Sequence, residues 1–306
     1  MADAAAGALL RTGKVKQVYD AGPGELEFVF TDNVSVFDKV IPTSIPRKGE
    51  VLNRVSEFWF RKIESALGVK THFLSRPGPN RMRVRKVEVI DPATTYVGPG
   101  QRNYLLPLEC ICRFYAAGSL IDRAKQGQIE LSRLGLGAPP KPGQKLPRPF
   151  VEFTTKLEKT DRPLTDLEAQ RLAVMTDEEF YLLEDNVLKV NELINRTVEP
   201  RGLLHVDGKT EWAFDENRQL MLIDTVGTPD EDRFWDKAAY EAGQTIELSK
   251  ELVRQHYRAT GYHALLYEAR AKGLTEPPIP PLPSEVAGQV SELYVRLHER
   301  ITGTRL

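Results

Sequence analysis

The segment KTEWAFDENRQLMLIDT, residues 209–225, holds two apolar-rich runs, Lys209 to Phe214 and Leu220 to Thr225, around the polar turn Asp215 to Arg218. This is the pattern of an antiparallel hairpin. A turn centred on Glu216-Asn217 sets Glu211 opposite Leu222 and Lys209 opposite Asp224, so Lys209, Glu211 and Asp224 share one face of the ribbon. Glu211 and Asp224 are then diagonal neighbours about 7 Å apart at Cβ, near enough to converge on one hard cation such as Mg²⁺. The hairpin by itself is equally consistent with a surface ladder of alternating charges. The run Thr228-Pro229-Asp230-Glu231-Asp232-Arg233, just past the hairpin, gathers more acids beside an arginine at the ribbon's end and tilts the balance towards a site.

Towards the N-terminus, Val15 to Tyr19 and Leu26 to Thr31 read as strands joined by the turn signal Ala21-Gly22-Pro23-Gly24. From Val51 to Leu67 apolar residues recur at helical spacing and Gly68 supplies a stop. Met82 to Ile90 alternates with a parity shift that suggests a bulge. Leu105 to Phe114 is almost continuously apolar, as a strand buried on both faces would be, and a helix is expected from near Ser119. The proline- and glycine-rich span Gly135 to Pro149 reads as a long functional connection. Capping boxes at Thr165/Glu168 and Thr176/Glu179 open helices, the second ending at Pro200-Arg201-Gly202. Further helices are expected over Ile246 to Tyr257 and after Pro277 to Pro283, where Val286, Val290, Leu293, Leu297 and Ile301 mark a packing face. Strands in hairpins mixed with helices make an α+β chain.

The 306 residues are 41% hydrophobic and carry a formal net charge of −1. So nearly neutral a chain has no broad field to hold nucleic acid or an anionic membrane, and any phosphate binding must come from locally placed cations. The apolar run Ala4 to Leu10 is too short for a membrane span and lacks the basic start of a signal peptide. Cys110 and Cys112, two apart on a strand, read as buried thiols, which fits the cytoplasm.

Two more constellations bear on chemistry. In Gly13-Lys14-Val15-Lys16 the lysines are expected on one strand face, and Gly13 lets backbone approach a ligand, so a polyphosphate can lie along them. In Leu108 to Ser119, Glu109 and Arg113 interrupt an apolar strand where an unpaired charge is costly. Either they pair with each other, or Arg113 grips an anion together with the helix start at Ser119.

The runs GKVKQVY, KGEVLNRVSEFWF, LECICRFYAAGSL, VEFTTKLEKTDRPLT, VDGKTEWAF and LIDTVGTPDEDRFW, in this order from residue 13, resemble the SAICAR synthetase family to about residue 258. The resemblance implies a two-lobed fold: an N-terminal antiparallel-sheet lobe over 1–107, a larger C-terminal α/β lobe over 108–270 with ATP in the cleft between, and a proline-rich linker with a final helix over 271–306. It implies an ATP- and Mg²⁺-dependent ligase that joins L-aspartate to the carboxylate of a phosphoribosyl aminoimidazole. By that resemblance Gly13, Lys14, Lys16, Glu109 and Asp224 serve the nucleotide, and Glu211 and Asp224 the metal. Arg113, Ser119 and Arg233 grip the phosphoribosyl substrate, with Ser35, Asp38 and Lys48 on further family segments. Lys156, Asp207 and Lys209 surround the reacting groups. Thr225 replaces a usual glutamate, which would throw weight onto Glu211 and Asp230 as metal holders. Phe114 and Tyr115, Lys16-Gln17 and Arg162 also depart from the family pattern.

A carboxylate is a poor electrophile, and ATP overcomes this by converting it to an acyl phosphate that an amine can attack. Such a site needs cations around crowded negative charge and a group to take the amine's proton. Asp207 is the candidate for the proton; capping a turn at Asp207-Gly208 is the competing role. None of the five histidines is implicated. A small-molecule kinase and a non-catalytic nucleotide-binding protein are the alternatives, and a homo-oligomer fits the same sequence.

Overall fold

The computed structural model describes residues 7–158 and 160–306, so the apolar run that begins at Ala4 lies partly outside the described residues. Two sheets organise the chain into a two-lobed α+β fold. The smaller is antiparallel, with strands in the order Leu9–Thr12, Lys16–Asp20, Glu25–Phe30, Arg81–Arg85, Phe73–Gly78. The expected hairpin is its centre, with Lys16 opposite Phe30 and Val18 opposite Phe28. The helix Lys48–Leu67 buries Val51, Val55, Trp59 and Ile63 and stops at Gly68, whose φ of 67° suits a residue without Cβ.

The larger sheet runs Pro163–Leu164, Lys145–Thr155, Leu108–Tyr115, Leu203–Phe214, Leu220–Ile223, Lys70–Thr71. Its axis is the 12-residue strand Leu203–Phe214, almost wholly buried because it is paired along both edges. Its first half takes Arg233–Asp236 on one side, its middle takes Cys110–Arg113 on the other, and its end takes Leu220–Ile223. Asp207, Lys209 and Glu211 all sit on this strand, so the fold fixes them through backbone pairing. Both capping boxes form, opening helices Asp166–Leu172 and Asp177–Val198. Apolar side chains from both sheets and their helices join in one main core, beside two smaller clusters around Phe150 and Ile223. Cys110 and Cys112 are buried free thiols, and burial pushes both well above the usual thiol range.

Several expectations need correction. The 209–225 hairpin pairs Glu211 with Ile223, not Leu222. Its loop has one residue more than a two-residue turn: Asp215 N–H donates to Gln219 O at 3.0 Å, and Arg218 adopts φ 59°. The segment 246–250 is not helical; Glu247 bridges to Trp235 and the helix is Glu251–Ala259, with a second at Tyr262–Ala271. The last third of the Gly135–Pro149 connection is taken up by the strand Lys145–Thr155. Asp207-Gly208 lies within a strand, which removes the turn-capping role.

The C-terminal helix Ser284–Thr302 packs against Lys48–Leu67. Beneath them Lys48, fully buried, donates to Asp230 Oδ2 at 2.8 Å, and Tyr294 donates to Oδ1 at 2.7 Å. Burial works against the charge on Asp230, but Lys250 and Lys48 outweigh it and hold the carboxyl well below its ordinary value. A depressed folded pKa gives stability that is present above the unfolded value near 3.8 and is lost as pH falls through the folded one. Lys48→Met leaves a buried carboxylate short of its nearest cation and is expected to cost about 3–5 kcal/mol. Acid unfolding of the variant should then begin at higher pH than in the parent, which a series of melting curves against pH will read.

Candidate functional site

Two hollows open between the lobes. One, of about 610 Å³, is lined mostly by charge: Lys14, Arg113, Arg233, Lys250, Arg254 and Arg258, with Asp38, Asp161, Asp207, Glu231 and Glu251, and with Ser35 and Ser119 also on its wall. The other, of about 290 Å³, has an apolar wall of Val18, Leu26, Phe28, Val87, Val89, Leu105 and Ile223, with Gly13, Lys16, Lys156, Glu211 and Asp224 also lining it. They meet at one ion pair. Lys209 lines the first, Glu211 the second, and Nζ lies 2.7 Å from Oε1.

That junction is a charge network. Lys209 also reaches Glu109 at 3.1 Å and Glu231 at 3.0 Å, while Lys156 reaches Glu211 at 2.5 Å. Burial opposes the charge on Lys209, but Glu211, Glu231 and Glu109 overcome it and raise its pKa well above the ordinary lysine value. Burial likewise pushes Glu211 up, and Lys209 with Lys156 pull it far below the carboxylate range. Lys16 stands differently: burial pulls it down to about 7, because Glu211 compensates only in part. Lys16 therefore holds its proton weakly unless a further anion joins it.

Lys14 and Lys16 do not share a face. Gly13 N–H donates to Lys16 O at 2.8 Å in a tight turn before the strand begins, so Lys14 turns to the charged hollow, 2.7 Å from Asp38. Lys16 turns to the apolar one and pairs with Asp224. Asp38 and Ser35 belong to the short hairpin Ser35–Val36/Lys39–Val40, whose two turn residues Phe37 and Asp38 have φ 51° and 65°.

Asp224 and Glu211 line the same hollow, by a route other than strand alternation. With Ile223 opposite Glu211, an unbroken strand would point Asp224 to the far side. Asp224 instead has φ 66°, which ends the strand and brings it onto the wall that Glu211 lines. Among the described residues no group of three or more His, Cys, Asp or Glu side chains forms a metal cage. Two carboxylates suit Mg²⁺ bound together with phosphate oxygens and water, which needs only one or two from the protein. Asp230 does not join them, being held under Lys48 and Tyr294.

Arg113 does not pair with Glu109. Its Nε donates to Glu152 at 2.6 Å and its Nη1 to Asp207 at 3.0 Å, while Glu109 turns to Lys209. Asp207 Oδ2 accepts from Arg233 as well, so this carboxylate brackets two guanidiniums. Arg233 is further held by Glu251 at 3.3 Å. Lys48 lines neither hollow. Lys250, Arg254 and Arg258 escaped notice in the sequence, although basic residues four apart are the mark of one helix face. Asp161 and the apolar wall carried no assigned role in the sequence, and Glu231 counted there only as one of the acids after the hairpin. The Gly135–Pro149 connection lines neither hollow.

An apolar slot opening through lysines onto an arginine-rich basin suits a two-lobed protein of the phosphoryl-handling type. The SAICAR synthetase family profile matches residues 9–267. The chain is 50% identical over 97% of its length to the phosphoribosylaminoimidazole-succinocarboxamide synthase of Thermoplasma acidophilum, covering 99% of that protein. It is 33% identical to the like-named protein of Nitrosopumilus maritimus, over 97% of this chain and 99% of that one. Among solved structures, a type-2 SAICAR synthetase in complex with ADP superposes with a TM-score of 0.70 at 25% identity, over 97% of this chain and 98% of that chain. The SAICAR synthase of Saccharomyces cerevisiae shares the fold with a TM-score of 0.75 at 24% identity, over 98% of this chain and 96% of that one. The chain belongs to the SAICAR synthetase family.

Proposed function

We propose that the chain joins the amine of L-aspartate to the carboxylate of 5-amino-1-(5-phosphoribosyl)imidazole-4-carboxylate, with conversion of ATP to ADP and phosphate. The observation that carries this reading is the Lys209–Glu211 contact of 2.7 Å, where a slot shaped for a nucleotide base meets a basin built for anions. The relatives' name and the ADP held by a family member agree with it.

The adenine ring takes the apolar slot against Phe28, with Gly13 and Lys16 at the triphosphate, while Lys14 closes on its end from the basin. The weakly held proton on Lys16 becomes firm when phosphate arrives. Glu211 and Asp224 hold Mg²⁺, which supplies neutralisation of the phosphoryl oxygens when bound. Lys209 and Lys156 flank the transferring group, and Glu109 and Glu231 keep Lys209 charged and in place. Arg113, Arg233 and Ser119 take the ribotide phosphate, with Asp207 as the strut that spaces the two arginines. Ser35 and Asp38 close the basin from the smaller lobe. Lys48 acts through packing. We take the lobes as residues 1–107 and 108–270, with the short strands Lys70–Thr71 and Tyr104–Leu105 of the first crossing to the larger sheet and 271–306 as a clamp, and the setting as the cytoplasm, where Cys110 and Cys112 stay reduced. No helix among the described residues is long and apolar enough to cross a membrane.

ADP release measured with each substrate left out in turn tests the assignment. The reading predicts release only with both the imidazole carboxylate and aspartate present. ADP formation with a stable phosphorylated product and no need for aspartate would favour a kinase instead, and tight ATP binding without turnover would favour a binding protein.

A further inference from the structure

Five carboxylates line the charged basin, and four are committed. Asp38 is 2.7 Å from Lys14, and Glu231 is 3.0 Å from Lys209. Asp207 accepts from Arg113 and Arg233, and Glu251 from Arg233, Arg254 and Arg258. Asp161 alone has no ion pair or hydrogen bond with another described residue. It lies on the loop after Lys156, within electrostatic reach of Lys209 and Lys156 on one side and Lys14 and Asp38 on the other, beside the junction of the two hollows.

Asp207 is tied through Oδ2 to both Arg113 and Arg233, which commits this carboxylate to spacing the two guanidiniums. We propose that Asp161, and not Asp207, is the base that deprotonates the amine of L-aspartate, an inference that rests on the ligase reading above. Partial desolvation on the basin wall, then repulsion from Asp38, raises the Asp161 carboxyl above its ordinary value, with Lys209, Lys156 and Lys14 pulling the other way, although the side chain keeps contact with water. That moves it towards the pH at which a base is effective. The ammonium of aspartate gives one proton to Asp161. The freed amine attacks the acyl carbon, the C–N bond forms, the C–O bond to phosphate breaks, and the leaving phosphate takes the second proton from nitrogen. Asp161 is exposed and returns its proton to water.

Asp161→Asn separates this step from the one before it. Hydroxylamine, whose nitrogen is unprotonated at neutral pH, can trap an acyl phosphate without a base. The variant should lose about 10²- to 10⁴-fold in aspartate-dependent kcat while ADP release with hydroxylamine and the imidazole carboxylate stays within a few-fold of the parent. The acidic limb of its kcat–pH profile should disappear, and Asp161→Glu should restore part of the rate. Unchanged aspartate turnover overturns the proposal. Equal loss with both nucleophiles also overturns it, by placing Asp161 in phosphoryl transfer or folding. If the parent itself releases no ADP with either nucleophile, the ligase reading fails before this one is reached.

Discussion

Glu211→Gln is expected to lower kcat by about 10²- to 10³-fold, the scale of losing one preorganised electrostatic group at a reacting centre, and to raise the Mg²⁺ concentration needed for half-maximal rate. Two consequences arise from one side chain. Glu211 is the shared anion of Lys209 and Lys156 and one of the two carboxylates we propose for Mg²⁺. Without its charge Lys209 and Lys156 lose the anion that spaces them. Lys209 retains Glu109 and Glu231, so the fold survives, and the melting temperature should fall by only a few degrees. Steady-state rates across a Mg²⁺ series, with thermal unfolding alongside, read both. A near-normal rate and Mg²⁺ dependence would remove Glu211 from the metal and the junction together.

Gly227→Ala is expected to be the most damaging small substitution for folding. Gly227 has φ 63°, and a Cβ there would sit 2.2 Å from Trp59 Nε1 and 2.4 Å from Cδ1. Trp59 is fully buried on the long helix of the smaller lobe and donates to Gly227 O at 3.2 Å, so the ring has nowhere to retreat. A left-handed backbone with a Cβ costs about 1–2 kcal/mol, and forced repacking adds about 1–3 kcal/mol. For a chain of this size that corresponds to a fall in Tm of about 3–8 °C. Gly227 also lies midway between Asp224 and Asp230, so relief of the clash would drag both acidic positions. An alanine variant that melts with the parent would show that this backbone path is not fixed by Trp59.

The elements that the sequence made legible are those with a local cause. Thr165 and Thr176 each have a glutamate three residues on, and the caps form. The helix ending at Gly68 and the 13–31 hairpin are equally local. What escaped was geometry set by single dihedrals. Asp215 to Gln219 holds a three-residue loop as readily as a two-residue one, and composition does not separate them, so the partner of Glu211 came out one residue off. Glu211 and Asp224 nevertheless line the same hollow, because a left-handed Asp224 offsets the shift. The turn at Gly13 sends Lys14 and Lys16 to different hollows, which strand alternation cannot foresee. Lys48 looks like a ligand-binding lysine in sequence, and only its distant partner Asp230 reveals it as buried. Conversely, Lys250, Arg254 and Arg258 carried a readable spacing, and the weight given to the hairpin acids left it unused.

At the centre is the claim that the junction of the hollows passes a phosphoryl group onto a carboxylate oxygen. A heavy-oxygen label in the carboxylate of the imidazole ribotide tests it most directly. Mass analysis of the phosphate released during turnover with ATP and L-aspartate should find one labelled oxygen per phosphate. Unlabelled phosphate, with the amide formed at the same rate, would contradict the account.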